Sequence, residues 1–388
     1  SLSVHRLNKG LHFLPKYNKI SLTKCFFSVI IASYKINYKG RVIMQAFINL
    51  FQEIAALLLS FVMMFGGVTT PATGDLLRNF SDDVNMDFVL TGDTQVCDYM
   101  PEREANLMSF SEDMMNSDIE LDAFLIVGDI AENGMQEEYD RITGHISGWN
   151  VANYIMCTGN HDIRLRDFEQ SKSRFLNFMN GLNSEENAKD NVYFKYEVNG
   201  YTFLSIASDK MEFEEAHFSN EQLQWLNIEL KEATKEGKPV FVLCHQSLAE
   251  SHGLPNTWGS ANSTPDDTDL PTYERKDDYD YTGSIGEHSN DIYDIISKYK
   301  NVFFLTGHLH TGFGKYTYQT ISEENNVQGV NVPSVGIDNK DGVYNNPGTG
   351  LFVEVTDDEV IFYARDFRNG KFLSTEDWSK AVMAFDVQ

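Results

Sequence analysis

The sequence predicts an α/β domain whose strands are largely parallel and covered on both faces. Three observations carry this. Short, almost uninterrupted apolar runs recur at residues 86–90, 123–127, 152–157, 239–244 and 302–305, the pattern of strands buried on both sides. Segments with helical apolar spacing lie between the first of them, a βαβ rhythm that implies right-handed crossovers. Each run also leads directly into a short polar motif, so chemistry is expected at the carboxyl ends of the strands.

The elements are expected in the following order. Residues 1–52 hold eight Lys or Arg and no Asp or Glu, and residues 54–68 form an unbroken apolar or small-residue run. Residues 1–43 are read as a basic leader, translated upstream or artefactual, with Met44 as the natural start. Residues 44–74 are signal- or anchor-like. Three readings of the run compete: a secretory signal core, a membrane anchor extended back to Ala46, and an amphipathic helix packed on the domain. Its fifteen residues fall short of the roughly 20 that span a bilayer. Basic residues before it and acidic ones after it fit a domain outside the membrane. The expected localisation is therefore secreted, or anchored through residues 46–68, with a cytoplasmic protein as the alternative.

The catalytic domain is expected over residues 84–388. Helices are predicted at 102–116, 136–146, 168–179 and 220–234. Residues 192–198 and 201–207 read as a hairpin about Asn199-Gly200, a strong turn signal. Residues 251–286 are polar, aperiodic and rich in Asp, Pro and Gly, which reads as a long functional loop or a disordered insert. Ser289 is placed to cap a helix at 290–299. Hairpin-like strands, including 350–355 and 360–365, finish the chain.

Net charge is −26, but the basic leader hides a body with 23 basic against 57 acidic residues. Such a body repels phosphate backbones, so nucleic acid is disfavoured as a partner. Four cysteines are too few for a disulfide framework. Cys97, Cys157 and Cys244 read as small buried hydrophobes beside the motifs, and Cys25 lies in the leader.

The motifs are Gly92-Asp93-Thr94-Gln95, Gly128-Asp129, Gly159-Asn160-His161-Asp162, His245, and Gly307-His308-Leu309-His310. Ligands gather beyond the carboxyl ends of strands in open α/β sheets. Carboxylate, amide oxygen and imidazole together suit Mn, Fe, Zn or Mg. A pair of such cations lowers the pKa of a water between them and clamps a phosphoryl group. Singly the motifs are weak; all five in this order describe a two-metal site.

From about residue 84 to its end the chain resembles the calcineurin-like metallophosphoesterases. The resemblance implies a four-layer αββα sandwich of two mixed sheets, with a dinuclear site at the sheet edge. It implies that Asp93 and His310 hold a first metal, that Asp129 bridges, and that Asn160, His245 and His308 hold a second. It makes His161 the phosphate contact or leaving-group acid and Asp162 its orienting neighbour. The implied reaction is hydrolysis of a small-molecule phosphate mono- or diester by a metal-bridging hydroxide. A non-catalytic binding module on the same fold is the alternative, and no protein partner is implied. One departure stands out. The family's first motif is Asp-x-His, and here Gln95 occupies the last place. Its amide oxygen is a weaker donor than imidazole, so the first site is conditional and Mn is favoured.

Further candidates lie nearby. His252, Asn256 and Trp258 open the long loop and are placed to contact substrate, with Trp258 stacking on a ring; ordinary loop packing competes. Arg164 and Arg166 can pair with phosphate or lie on a surface helix. The acidic residues Asp266, Asp267, Asp269, Asp277, Asp278 and Asp280 read as a solvated face. His145, His217 and His288 read as structural.

Overall fold

The computed structural model describes residues 75–117, 119–165, 167–183, 190–259 and 267–388. The leader, the apolar run, Cys25, Arg166 and Asp266 lie outside them. Among the described residues no helix is long and apolar enough to cross a membrane.

The strands are β1 (Met86–Thr91), β2 (Ala123–Val127), β3 (Tyr154–Cys157), β4 (Phe194–Val198), β5 (Tyr201–Ser205), β6 (Val240–Leu243), β7 (Val302–Thr306), β8 (Tyr318–Ser322), β9 (Val327–Asn331), β10 (Thr349–Val355), β11 (Glu359–Asp366), β12 (Lys371–Phe372) and β13 (Val382–Asp386). The helices are α1 (Pro101–Met115), α2 (Gln136–Ile146), α3 (Asn160–Ile163), α4 (Phe168–Leu182), α5 (Asn220–Ala233) and α6 (Ser289–Ile296).

Two mixed sheets result. The first runs β12-β11-β10-β1-β2-β3, with β13 also on β11; the second runs β4-β5-β6-β7-β9-β8. β1, β2 and β3 are parallel, and so are β5, β6, β7 and β9. The motif-bearing strands thus share a direction within each sheet.

Period-two alternation divides the second sheet's side chains between two cores. Phe203, Phe241 and Phe303 turn toward the first sheet. Phe241 lies edge-on to Phe88 at 5.1 Å and stacks on Phe203 at 5.0 Å, and Phe303 reaches Phe362 at 5.8 Å. Such pairs add about 0.5–1.5 kcal/mol each beyond burial. Their neighbours Leu204, Val240, Val242, Val302 and Phe304 form a separate core with Leu226 and Leu230 of α5 and Ile292 and Ile296 of α6. On the far side of the first sheet, Phe110 of α1 packs on Phe124 and stacks on Phe367 at 4.1 Å. The order is helices, sheet, sheet, helices, the expected four-layer αββα sandwich.

The helices start where local chemistry allows. Pro101 takes the first position of α1 with Glu102 and Glu104 in its first turn, matching a missing N–H and the helix dipole. Asp167 caps α4 and Ser219 caps α5 through side-chain oxygens. α6 corrects the sequence expectation. Ser289 is its first residue, fully buried, and its hydroxyl accepts the Ala249 N–H instead of capping. The β8–β9 hairpin had no strong alternation in the sequence. The expected loop 251–286 is packed where it is described: Tyr273 and Ile285 are buried, and Tyr273 N–H donates to Thr320 O. The domain also starts earlier than residue 84, since Leu77 is buried and Ser81 Oγ donates to Glu354 at 2.6 Å.

Arg365 ties that early segment to the sandwich. Its fully buried guanidinium donates to both Asp113 carboxylate oxygens, at 2.8 and 2.9 Å, and to Asp75 O at 2.7 Å. Removing one partner of a buried pair strands the other charge. Asp113→Ala should therefore cost about 3–5 kcal/mol in urea unfolding, and the double variant Asp113→Leu/Arg365→Met should recover most of it. A loss no larger for the single variant than for the double would refute this.

Candidate metal centre

The five motifs converge where the carboxyl ends of β1, β2 and β3 meet those of β6 and β7. The chain turns sharply at each. Asp93, Gln95, Asp129, His308 and His310 all have positive φ, between 41° and 71°, a region costly for side chains other than glycine. Such strain persists where surrounding contacts enforce it. Asp93 N–H donates to Gly128 O at 3.1 Å and Gln95 N–H to Asp129 O at 3.0 Å. Gly159 makes room for the centre: a Cβ there would lie 2.1 Å from Asp129 Oδ1.

Asp129 is the hub. It is 1% exposed. Its Oδ1 accepts the His161 backbone N–H at 2.8 Å, and its Oδ2 accepts Gln95 Nε2 at 2.9 Å and lies 3.1 Å from His245 Nε2. Two groups of convergent ligand atoms share it: Asp129 with His245 and His308, and Asp129 with Asp93 and His310. His310 Nε2 lies 3.1 Å from Asp93 Oδ1. Five of the expected ligand residues are thus brought together, with Asp129 in common.

The donor atoms fit a pair of divalent cations. Asn160 Nδ2 donates to Phe213 O at 3.1 Å and Glu214 Oε2 at 3.2 Å, which leaves Oδ1 buried without a hydrogen-bond partner among the described residues. Gln95 Oε1 is in the same condition. An orphaned buried oxygen carries a desolvation penalty that a cation would relieve. His245 Nδ1 donates to Val127 O at 2.7 Å, so its Nε2 is the nitrogen turned toward Asp129; this is the outer hydrogen bond that orients a ligating imidazole. His308 Nδ1 faces that Nε2 at 3.2 Å. Gln95 is fully buried; its Nε2 supports the shared carboxylate, and its Oε1 is the end left to offer.

The charges are strongly coupled. Burial opposes ionisation of Asp129, yet His245 and His161 hold its carboxyl well below the usual range. Burial likewise pulls His245 down, but Asp129 and Asp93 outweigh it and raise it to about 9. His308, buried beside His245, is pushed well below its usual value.

His161 sits at the rim, with its side chain 14% exposed. Its Nε2 is 3.8 Å from Asp129 Oδ2, and its Nδ1 is 3.0 Å from Glu132 Oε2. Burial lowers its pKa, and Asp129 and Glu132 more than reverse that. The expected partner, Asp162, is elsewhere. Its carboxylate accepts the Ile130, Ala131 and Gly159 N–H groups and the Tyr139 hydroxyl. The reason is local: both residues lie in the single turn of α3, where consecutive side chains diverge. Asp162 shapes the loops, and Glu132 orients the histidine. Glu132 was missed because Ala-Glu-Asn-Gly reads as an ordinary turn.

Trp258 stacks on His308 with ring centroids 4.5 Å apart, so it walls the site. His252 does not reach the site. It is buried, its Nδ1 lies 2.8 Å from Tyr316 O, and burial lowers it to about 4; the loop folds back onto the second sheet instead of toward substrate. Asn256 is exposed. Arg164 touches both His161 and Glu214. His145, His217 and His288 each pair locally with a carboxylate at 3.0 Å. Asp269 and Asp277 pair with Lys380 and Arg275. Cys97, Cys157 and Cys244 are buried free thiols. Asn331 also went unnoticed: its Nδ2 donates to Gly307 O at 2.7 Å and fixes the last motif.

Comparison with known proteins gives one family: the calcineurin-like phosphoesterase model matches residues 86–312. No curated protein matches the chain. A solved dimetal phosphatase from Danio rerio is similar with a TM-score of 0.53 and 13% identity, over 79% of this chain and 100% of that one. A purple acid phosphatase from yellow lupin (Lupinus luteus) seeds is similar with a TM-score of 0.51 and 14% identity, over 74% of this chain and 52% of that one. The match thus spans about half of the lupin enzyme, and at these identities both likenesses speak for the fold.

The raised His245 generates a pH dependence for metal-free protein. A raised folded pKa contributes stability that is complete below the unfolded value and lost as pH climbs through the folded one. The melting temperature of chelator-treated protein should therefore fall between pH 6.5 and about 9, and saturating Mn should flatten the curve. A metal-free curve already flat over that window would contradict the coupling.

Proposed function

The chain belongs to the calcineurin-like phosphoesterase family, and we propose that it hydrolyses small or medium phosphate mono- or diesters with two divalent cations, Mn being favoured. The observation that carries this is Asp129, which belongs to both ligand groups at once. Asp93, His310 and the Gln95 oxygen would hold one cation; Asn160, His245 and His308 would hold the other. The preference for Mn rests on the oxygen-rich first set, since carboxylate and amide oxygens suit that metal. When bound, such a pair supplies Lewis acidity and a water of lowered pKa as nucleophile.

The chain's own residues account for the remaining steps. Asp93 and Asp129 lie in a site closed to solvent, where charge interactions are strong. His310 and His161 are the partly exposed members, with side chains 23% and 14% exposed, so substrate approaches from their side. Glu132 fixes the His161 ring through Nδ1 and favours its protonated form. Nε2 then presents a hydrogen that can bond a phosphoryl oxygen and pass to the leaving alkoxide. Positioned proton transfer of this kind contributes about 10²–10⁴-fold.

An assay with p-nitrophenyl phosphate and its bis-ester under added Mn tests the proposal. On an alkyl ester such as glycerol phosphate, whose alkoxide needs a proton, His161→Ala should lose about 10²–10⁴-fold in turnover, with a smaller loss on the p-nitrophenyl esters, while metal content by elemental analysis stays near wild type. Asp129→Asn should lose metal and turnover together. Parallel loss of metal in His161→Ala, or wild-type turnover in Asp129→Asn, would overturn these roles. No turnover of either ester with any divalent metal would leave a phosphate-binding module as the function.

A further inference from the structure

Glu132 stands between two side chains. Its Oε2 lies 3.0 Å from His161 Nδ1, and the same oxygen accepts from Arg103 Nη1. Arg103 Nη1 also donates to Gln95 O at 3.2 Å. A terminal guanidinium nitrogen carries two hydrogens, one for each of these acceptors. The Arg103 and Glu132 side chains are 12% and 11% exposed, so the pair is held largely away from water.

One nitrogen thus joins three motif-bearing loops. Gln95 closes the first motif, Glu132 lies just after the second, and His161 belongs to the third. The backbone around them is fixed. Gln95 N–H donates to Asp129 O at 3.0 Å, Val96 N–H to Ile130 O at 3.3 Å and Glu132 N–H to Val96 O at 3.3 Å. Arg103 reaches in from the first turn of α1, which Pro101 starts. Its guanidinium is a planar fork whose donors point in set directions. The Glu132 carboxylate, by contrast, ends a flexible side chain. It needs a second contact to hold a ring at a set angle, and Arg103 supplies that contact.

The consequence falls on His161. Its Nε2 is 3.8 Å from Asp129 Oδ2, and its Nδ1 is also 3.0 Å from Arg164 Nη2. Arg164 is itself tied to Glu214, so it competes for the nitrogen that Glu132 holds. Where Nε2 sits depends on which contact governs the ring. An anchored carboxylate settles that in favour of Glu132.

We propose that Arg103 is a positioning residue for the reaction: it anchors the Glu132 carboxylate and, through it, the His161 ring. This rests on the phosphoesterase reading above. It applies to His161 as phosphoryl contact and as leaving-group acid alike, because both roles need Nε2 in one place. An Arg103 that only braced the first motif through Gln95 O would act on metal binding and without regard to His161.

A double-mutant cycle separates the two. Turnover of glycerol phosphate by Mn-loaded protein is measured for wild type, Arg103→Met, Arg103→Lys, His161→Ala and Arg103→Met/His161→Ala, with metal content by elemental analysis. Arg103→Met should lower kcat/KM about 10- to 100-fold, the range a misplacement of about 1 Å reaches, with metal content near wild type. Arg103→Lys keeps a cation beside Glu132 and should recover part. In the His161→Ala background, Arg103→Met should remove less than about a further twofold. If Arg103→Met strands the Glu132 charge and melts early, Arg103→Lys carries the same comparison at smaller amplitude. Losses that multiply across the cycle, or metal lost with Arg103, overturn the assignment. A readout independent of turnover is the nitrogen spectrum of histidine-labelled protein loaded with diamagnetic Zn. The His161 ring signals, identified by their absence from His161→Ala, should shift in Arg103→Met while the other histidines stay in place. Unmoved His161 signals overturn the positioning role, whereas failure of wild type on every ester sinks the phosphoesterase reading instead.

Discussion

Two carboxylates buried at the junction of two sheets constrain the rest of this molecule. Asp93 and Asp129 are 0% and 1% exposed, and a buried charge is tolerated only when paired and hydrogen-bonded. Their partners come from both sides. His308 N–H reaches Asp93 Oδ2 at 3.2 Å, and His245 reaches Asp129 from the second sheet. The His161 N–H and the Gln95 amide serve Asp129 from the first. The hydrogen bond from His245 to Val127 O crosses the same junction. The sheets are thus joined in their interior by stacked phenylalanines and at one edge by the groups that would hold metal. Packing and chemistry share a boundary.

That sharing explains the local backbone cost. Five residues at the centre adopt positive φ, at roughly 1–3 kcal/mol each where the surroundings do not relieve it. Glycines absorb the closest approaches, as at Gly159 against Asp129 and Gly128 against the His245 ring. A centre built this way is pre-formed: its donors are held in place by strands and by outer hydrogen bonds before any cation arrives. His161 differs. It lies at the rim, held by Glu132 and the shared carboxylate, with Arg164 competing for the same nitrogen. The buried groups of the centre have fixed partners, and the partly exposed His161 has competing ones.

Much of this was legible in the sequence for a physical reason. Strands buried on both faces must be apolar throughout, so β1, β2, β6 and β7 stand out, and a ligand at a strand end needs a sharp turn, which writes glycine beside it. The residues that converge on Asp129 were readable from those signals; their division into two sets was implied only by the resemblance to the phosphoesterases. Roles that depend on side-chain direction were not. His161 and Asp162 are neighbours in the chain, but one helical turn points them apart, so the orienting carboxylate proved to be Glu132. His252 looked like a substrate contact, and only the course of its loop buries it beneath Tyr316. Glu214 and Asn331 act on the site from segments without periodicity. The β8–β9 hairpin was obscured because its strands mix polar and apolar residues. The aperiodic composition of residues 251–286 likewise concealed a segment that is packed where it is described.

We infer that Asp129, common to both ligand groups, would join two cation sites into one centre. Electron paramagnetic resonance during a Mn titration measures this directly, because cations about 3.5–4 Å apart across a shared carboxylate couple their spins. Uptake of two equivalents with a broadened, spin-coupled spectrum at saturation is the expected result. Saturation at one equivalent with a simple six-line spectrum, or two equivalents that remain magnetically isolated, would contradict it.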